Sequence, residues 1–115
     1  MQYLLMLYID ETAWPQMTPA EKEQGAAAYT AYTEALQQAG ALRGANRLQH
    51  STAGTTIKLA DGKPQVLDGP YADTKEQLGG YYLIEAADLD AALAWAARCP
   101  TASHGIVEVR PLWEM

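Results

Sequence analysis

Cysteine occurs once in the 115 residues, at Cys99, histidine twice, at His50 and His104, and phenylalanine not at all. A lone cysteine excludes an internal disulfide and a cysteine-rich zinc site. The two histidines are far apart, and no His-x-x-x-His, Cys-x-x-Cys or Glu-x-x-His spacing accompanies them, so no metal, haem or other cofactor is expected. Basic residues are also scarce: eight Lys and Arg stand against fourteen Asp and Glu, a formal net charge of −6. No basic stripe is left to displace counterions from a phosphate backbone, which argues against a nucleic-acid partner. The apolar opening Met1–Ile9 is too short to cross a bilayer and lacks the positive start and small-residue cleavage pattern of a signal peptide. A cytoplasmic protein with no membrane partner is the expectation.

Apolar types make up 49% of the chain and charged types 19%, a globular composition. At this length a single domain, residues 1–115, can bury about two-thirds of its unfolded surface without staples. Residues 2–9 are apolar on both alternating faces and read as a strand covered on both sides. Asp10 to Gln16 reads as a loop. Thr18-Pro19-Ala20-Glu21 is a helix start, with Thr18 as cap, Pro19 at the first position and Glu21 closing a capping box. The stripe Ala28, Tyr32, Leu36, Ala39 extends that helix over about residues 19–39, and Gly40 ends it.

Further strands are expected at about 41–48, 55–59, 65–67, 81–85 and 105–110. Asp61-Gly62 between two β-rich runs marks a hairpin, with Pro64 placing the second arm at an edge. Asp88 caps a second helix carrying Leu89, Ala92, Leu93 and Ala96, which Pro100 terminates. Without the hairpin the order is βαββαβ, a ferredoxin-like α+β arrangement with two helices on one face of an antiparallel sheet. The other face would present Leu, Ile and Tyr beside Glu85, Glu108 and Arg110. A monomer would expose that as a sticky patch, and a homodimer formed through an isologous two-fold contact would remove it.

The segment Asp68-Gly69-Pro70-Tyr71-Ala72-Asp73-Thr74-Lys75-Glu76-Gln77-Leu78-Gly79-Gly80-Tyr81-Tyr82 closely resembles the signature of the YCII-related proteins of the DGPF group, with Tyr71 in place of their Phe. The resemblance extends to Tyr3-Leu4-Leu5-Met6, Arg47-Leu48-Gln49, Thr55-Thr56, Asp88-Leu89-Asp90 and Val107-Glu108-Val109-Arg110-Pro111. It implies a dimeric α/β barrel of ferredoxin-like subunits, a bacterial source, and relatives among cofactor-independent monooxygenases, muconolactone isomerases and haem peroxidases of the chlorite dismutase type. It also implies a link to extracytoplasmic-function sigma factors, one of which would be a protein partner. Founding members of the family are proposed to carry a His–Asp pair, with the His on the first helix; here Tyr29 stands at that place and Asp68 is the nearest match to the Asp.

Each candidate has a structural reading beside its functional one. Tyr29 and Tyr32 fit core packing. Asp68 is either a turn-capping carboxylate or a pocket proton carrier whose pKa apolar walls would raise. Lys75 belongs either to a solvated loop or to a lip that orients an anionic ligand. Gly79-Gly80 lacks the helix and Lys-Ser/Thr of a phosphate loop and fits a bulge or a close backbone approach. Arg110 forms either an ion pair with Glu108 across a dimer or a clamp on a small acid. Seven Tyr and three Trp favour walls where a polar tip meets a partner. The reading expected first is a homodimer that binds a small, partly apolar organic molecule under the sheet. It would use cofactor-free acid–base chemistry with Asp68 as proton carrier and Tyr29, Tyr71 and Tyr81 as orienting groups. The rival is a non-enzymatic accessory or sensor module that meets a sigma factor.

Overall fold

The computed structural model describes residues 1–114. Six strands and three helices follow in the order β1 (Gln2–Ile9), α1 (Ala13–Gln16), α2 (Pro19–Gln38), β2 (Leu42–Arg47), β3 (Thr55–Ala60), β4 (Lys63–Asp68), β5 (Gln77–Glu85), α3 (Leu89–Arg98) and β6 (Ile106–Pro111). Single 3₁₀ turns occupy Ser51–Ala53 and Pro100–Ser103. Four strands form one antiparallel sheet in the order β2-β5-β1-β6, which is the ferredoxin-like topology, while β3 and β4 form a separate ribbon.

The local signals act as their chemistry requires. The Thr18 hydroxyl accepts the Glu21 amide at 3.1 Å and the Glu21 carboxylate accepts the Thr18 amide at 3.0 Å, so α2 starts on a closed capping box. Asp88 accepts the Ala91 amide at 2.9 Å and caps α3. Asp61 (φ 51) and Gly62 (φ 75) both take positive φ, the two-residue turn that matches strand twist in a hairpin. Gly79 is the extra residue where the β1–β5 register slips, between Leu7↔Gly80 and Tyr8↔Leu78. A Cβ on Gly80 would stand 2.8 Å from the Asn46 carbonyl oxygen, so β2 and β5 approach closely only because that side chain is absent.

The core lies between the helices and one face of the sheet. Tyr3, Leu5 and Leu7 of β1 and Tyr82 and Ile84 of β5 are buried there against Tyr32 and Leu36 of α2 and Ala92 and Ala96 of α3, with Val107 and Val109 at the margin. Tyr32 packs edge-on against Tyr82 at 5.2 Å between ring centroids, and its hydroxyl donates to the Trp95 carbonyl at 2.7 Å. Two expected stripes need correction. On α2 the inward line is Gly25, Tyr29, Tyr32, Thr33 and Leu36, while Ala28 and Ala39 are exposed. On α3 the small Ala92 and Ala96 face inward and Leu89 and Leu93 outward, because short side chains let the helix lie close to the sheet. Residues 10–16, expected as loop, include the one-turn helix α1.

The molecule is a slab of 48 × 45 × 18 Å with a radius of gyration of 16.1 Å. A compact chain of this length has a radius nearer ~13 Å. One layer of helices on one sheet accounts for the thinness, and the β3–β4 ribbon packs on little but itself.

Candidate functional site

Among the described residues none covers the second face of the sheet. Register brings its residues into rows: Gly44, Leu83, Leu4 and Arg110 in one, and Asn46, Tyr81, Met6 and Glu108 in the next, followed by Tyr8 beside Ile106. Leu4, Met6 and Leu83 form an apolar floor, and the polar groups around it are paired. Asn46 Nδ2 donates to the Tyr81 hydroxyl at 2.8 Å. The Tyr8 hydroxyl donates to Glu108 Oε1 at 3.2 Å, and Arg110 Nη1 lies 3.4 Å from Glu108 Oε2. Burial, and then the neighbouring Glu108 charge, push the Tyr8 phenol above its ordinary value, so it stays a donor. Glu108 is thus held at both oxygens, and the exposed Arg110 keeps further N–H groups free to meet an anion.

A second polar group gathers at the end of the sheet where β1 and β2 finish and β5 begins. Glu11 Oε1 accepts the Ser51 amide at 2.7 Å, and Glu11 Oε2 accepts the Ser51 hydroxyl at 2.7 Å. The His50 Nε2 atom stands 3.3 Å from Glu11 Oε2, and His50 Nδ1 accepts the Thr52 amide at 3.2 Å with the Thr52 hydroxyl 3.0 Å away. Since Nδ1 accepts, the neutral ring carries its proton on Nε2, facing Glu11. Both imidazole nitrogens are therefore engaged within the chain, and the cluster ties the loop after β2 to the loop after β1. Sequence reasoning placed His50 in a loop and missed Glu11. The two are 39 positions apart with no motif spacing, and only the antiparallel packing of β1 and β2 around β5 brings them together.

The signature segment lies at the same end. Asp68 closes β4 opposite Thr55 and is exposed. The turn after it is held by the Gly69 amide donating to the Gly54 carbonyl at 2.7 Å and by the Thr56 hydroxyl donating to the Gly69 carbonyl at 2.9 Å, not by the Asp68 carboxylate. Tyr71 is 92% exposed and Lys75 is exposed. The Thr74 hydroxyl donates to the Glu76 carbonyl and Gln77 Nε2 donates to the Thr74 carbonyl at 2.7 Å, so the loop is braced from within.

Of the residues singled out in the sequence, Tyr81 and Arg110 share the open sheet face, and Asp68, Tyr71 and Lys75 share the loop region at one end. Tyr29 joins neither group. It faces the helix side, its hydroxyl 2.6 Å from the Thr101 hydroxyl, and burial raises its pKa. Within the chain Tyr29 packs against the core and does not line the open face. Cys99 is buried with its thiol pKa raised by that burial, as a small apolar core residue would be. Two open clefts of about 430 and 480 Å³ flank Met1 and Glu85 at the opposite end, where the Met1 amino group, 2.7 Å away, holds the Glu85 carboxyl below its ordinary range. They hold no cluster of reactive groups. No group of three or more His, Cys, Asp or Glu side chains fit to hold a metal exists among the described residues, and no helix there is long and apolar enough to cross a membrane.

Comparison with known proteins adds three findings. A family described as YCII-related domain matches residues 1–115. An uncharacterised protein of Rhizobium meliloti (strain 1021) is 40% identical over 114 residues, covering 97% of this chain and 92% of that one. Among solved structures, a 5-chloro-2-hydroxyhydroquinone dehydrochlorinase from Burkholderia phenoliruptrix AC1100, in complex with 2,5-dihydroxybenzoquinone, is similar with a TM-score of 0.55 at 18% identity, over 99% of this chain and 94% of that one. That likeness shows the fold.

Proposed function

The chain belongs to the YCII-related family, and from that premise we propose that it binds a small, partly apolar organic acid or phenol on the open sheet face, in a space closed by a second copy. The observation that carries this reading is the floor of Leu4, Met6 and Leu83 ringed by the Asn46–Tyr81 and Tyr8–Glu108–Arg110 pairs. An apolar base with a few convergent polar groups is the usual make-up of a small-molecule site. Arg110 clamps the ligand's anionic oxygen, and Tyr81, oriented by Asn46, offers a second polar contact. Chemistry on such a ligand is acid–base and needs no cofactor. Asp68 is the proton carrier, brought over the site together with Tyr71 and Lys75 when the second copy covers it. The site is cytoplasmic in this reading. A 2,5-dihydroxybenzoquinone-like probe is the natural first ligand, since the neighbouring fold is seen with that compound.

Titration of the probe into the labelled protein, followed by amide and side-chain chemical shifts, tests the reading. Shifts confined to the open sheet face around Tyr81 and Arg110 and to Asp68, Tyr71 and Lys75, with at least a tenfold weaker Kd in Arg110→Gln, are expected. Shifts elsewhere, or an unchanged Kd in that variant, would refute the site. A family of acids and phenols that all fail to bind would move the assignment to an accessory module.

A further inference from the structure

The β3–β4 ribbon is two-faced. Its register pairs Thr55 with Asp68, Ile57 with Val66 and Leu59 with Pro64 on one face, and Thr56 with Leu67, Lys58 with Gln65 and Ala60 with Lys63 on the other. The first face is an apolar strip and the second carries the lysines. No described residue covers the strip: Ile57 and Leu59 are each 65% exposed and Val66 60%. A free two-stranded ribbon is at best marginally stable in water and needs a further packing partner for independent stability.

We propose that this ribbon is an arm that crosses to the second copy of the chain and seats its Ile57–Leu59–Pro64–Val66 face on it. The inference rests on the homodimer of the preceding section and adds to it. A second copy is the occupant for two reasons. It is present whenever the chain folds, which a marginal ribbon requires, and it offers an uncovered apolar sheet face of its own. Area supports the same partner. Four strands at ~4.8 Å spacing and ~3.3 Å per residue present about 400 Å² of sheet, half of the ~800 Å² that a standard interface buries on each side. The arm adds about 200 Å² on the same spacings, so sheet and arm together reach about 600 Å² on each copy. Lys58 and Lys63, on the far side of the arm, remain in water and keep it from stacking further.

The arm also carries chemistry. Asp68 lies on the same ribbon face as Ile57 and Val66, so seating that face turns an exposed carboxylate toward the other copy. The site of each subunit is then completed by Asp68 of the partner subunit.

Hydrogen exchange on the full-length protein at 200 µM and at 1 µM, with sedimentation equilibrium on Ile57→Glu/Val66→Glu, tests the arm. Amides of residues 55–68 are expected to be protected at least a hundredfold at the higher concentration and to lose that protection on dilution. The double variant, whose four-stranded sheet does not depend on the ribbon, is expected to dimerise at least a hundredfold more weakly, while Lys58→Glu/Gln65→Glu on the polar face dimerises as the native chain does. A native dimer whose arm amides exchange freely, or whose Kd is unmoved by the apolar-face changes, overturns the arm alone. A native chain that is monomeric at 200 µM overturns the homodimer, and the arm with it.

Discussion

Replacement of Tyr29 by phenylalanine separates a packing role from a ligand-orienting one. The side chain joins α2 to the 3₁₀ turn at Pro100–Ser103 through one contact, hydroxyl to hydroxyl, 2.6 Å long. Thr101 is fully buried, so its oxygen cannot turn to water when the phenol oxygen is removed. A buried polar atom left in that state costs about 1–3 kcal/mol. Tyr29 itself is half-buried, and deleting its hydroxyl recovers part of its own desolvation, so the net loss should be about 1.5 kcal/mol. For a chain of this length that lowers Tm by roughly 6 °C. Thr101→Val removes the other oxygen at nearly equal volume and should cost about 1 kcal/mol, because water reaches the remaining phenol more easily. The double variant leaves neither atom unpaired and should recover about 1 kcal/mol of the summed losses. Urea melts at one fixed protein concentration measure all three, with unchanged m-values as the check on two-state comparison. Additivity within about 0.3 kcal/mol would show that the two hydroxyls do not act together. Loss of quinone-probe binding in Tyr29→Phe, with stability intact, would return Tyr29 to the ligand.

Leu36→Ala empties a fully buried position between α2 and the sheet and should destabilise the fold by about 2–5 kcal/mol in the same melts. Glu11→Ala removes the acceptor of the Ser51 amide and hydroxyl, so amides of residues 50–54 should exchange at least tenfold faster while the β1–β5 amides keep their protection. Stability should fall as pH rises. Tyr8, Tyr29, Tyr32 and Tyr82 all have phenol pKa values raised from 10.0 by burial, so above pH 10 the unfolded chain loses protons that the folded chain retains. The Cys99 thiol, raised from 9.0, begins the decline one unit earlier. Below about pH 8 none of these groups should contribute a slope, and a Tyr32→Phe variant should show a shallower alkaline limb.

The elements with self-contained signals were readable from the chain. The Thr18–Glu21 capping box, the Asp88 cap, the Asp61-Gly62 turn and the period-two alternation of residues 105–110 each act within a few positions, and the structure uses them as their chemistry dictates. Face assignment on the strands was legible where polar residues mark it: Glu85, Glu108 and Arg110 were expected away from the helices, and Tyr81 and Leu83 share that face with them. Helix faces were harder. On α3, apolar character alone favoured Leu89 and Leu93, and only close packing against the sheet explains why alanines are inside. The site was legible in part. Tyr81 and Arg110 could be placed on one face by alternation, but their partners Asn46 and Tyr8 come from other strands, and register is needed to find them. Glu11 and His50 carry no local pattern at all. For Tyr29 the family position says where a residue stands on a helix and nothing about which layer its hydroxyl enters.

The most direct test of the account is sedimentation velocity on the native chain and on Met6→Lys/Leu83→Lys, two half-buried floor residues of the open sheet face. At 200 µM a native species at twice the 12.5 kDa chain mass is expected, and a variant that keeps its circular dichroism but runs at the single-chain mass. A native chain that sediments as a monomer, or a variant that remains dimeric, would contradict the claim that this face is closed by a second copy.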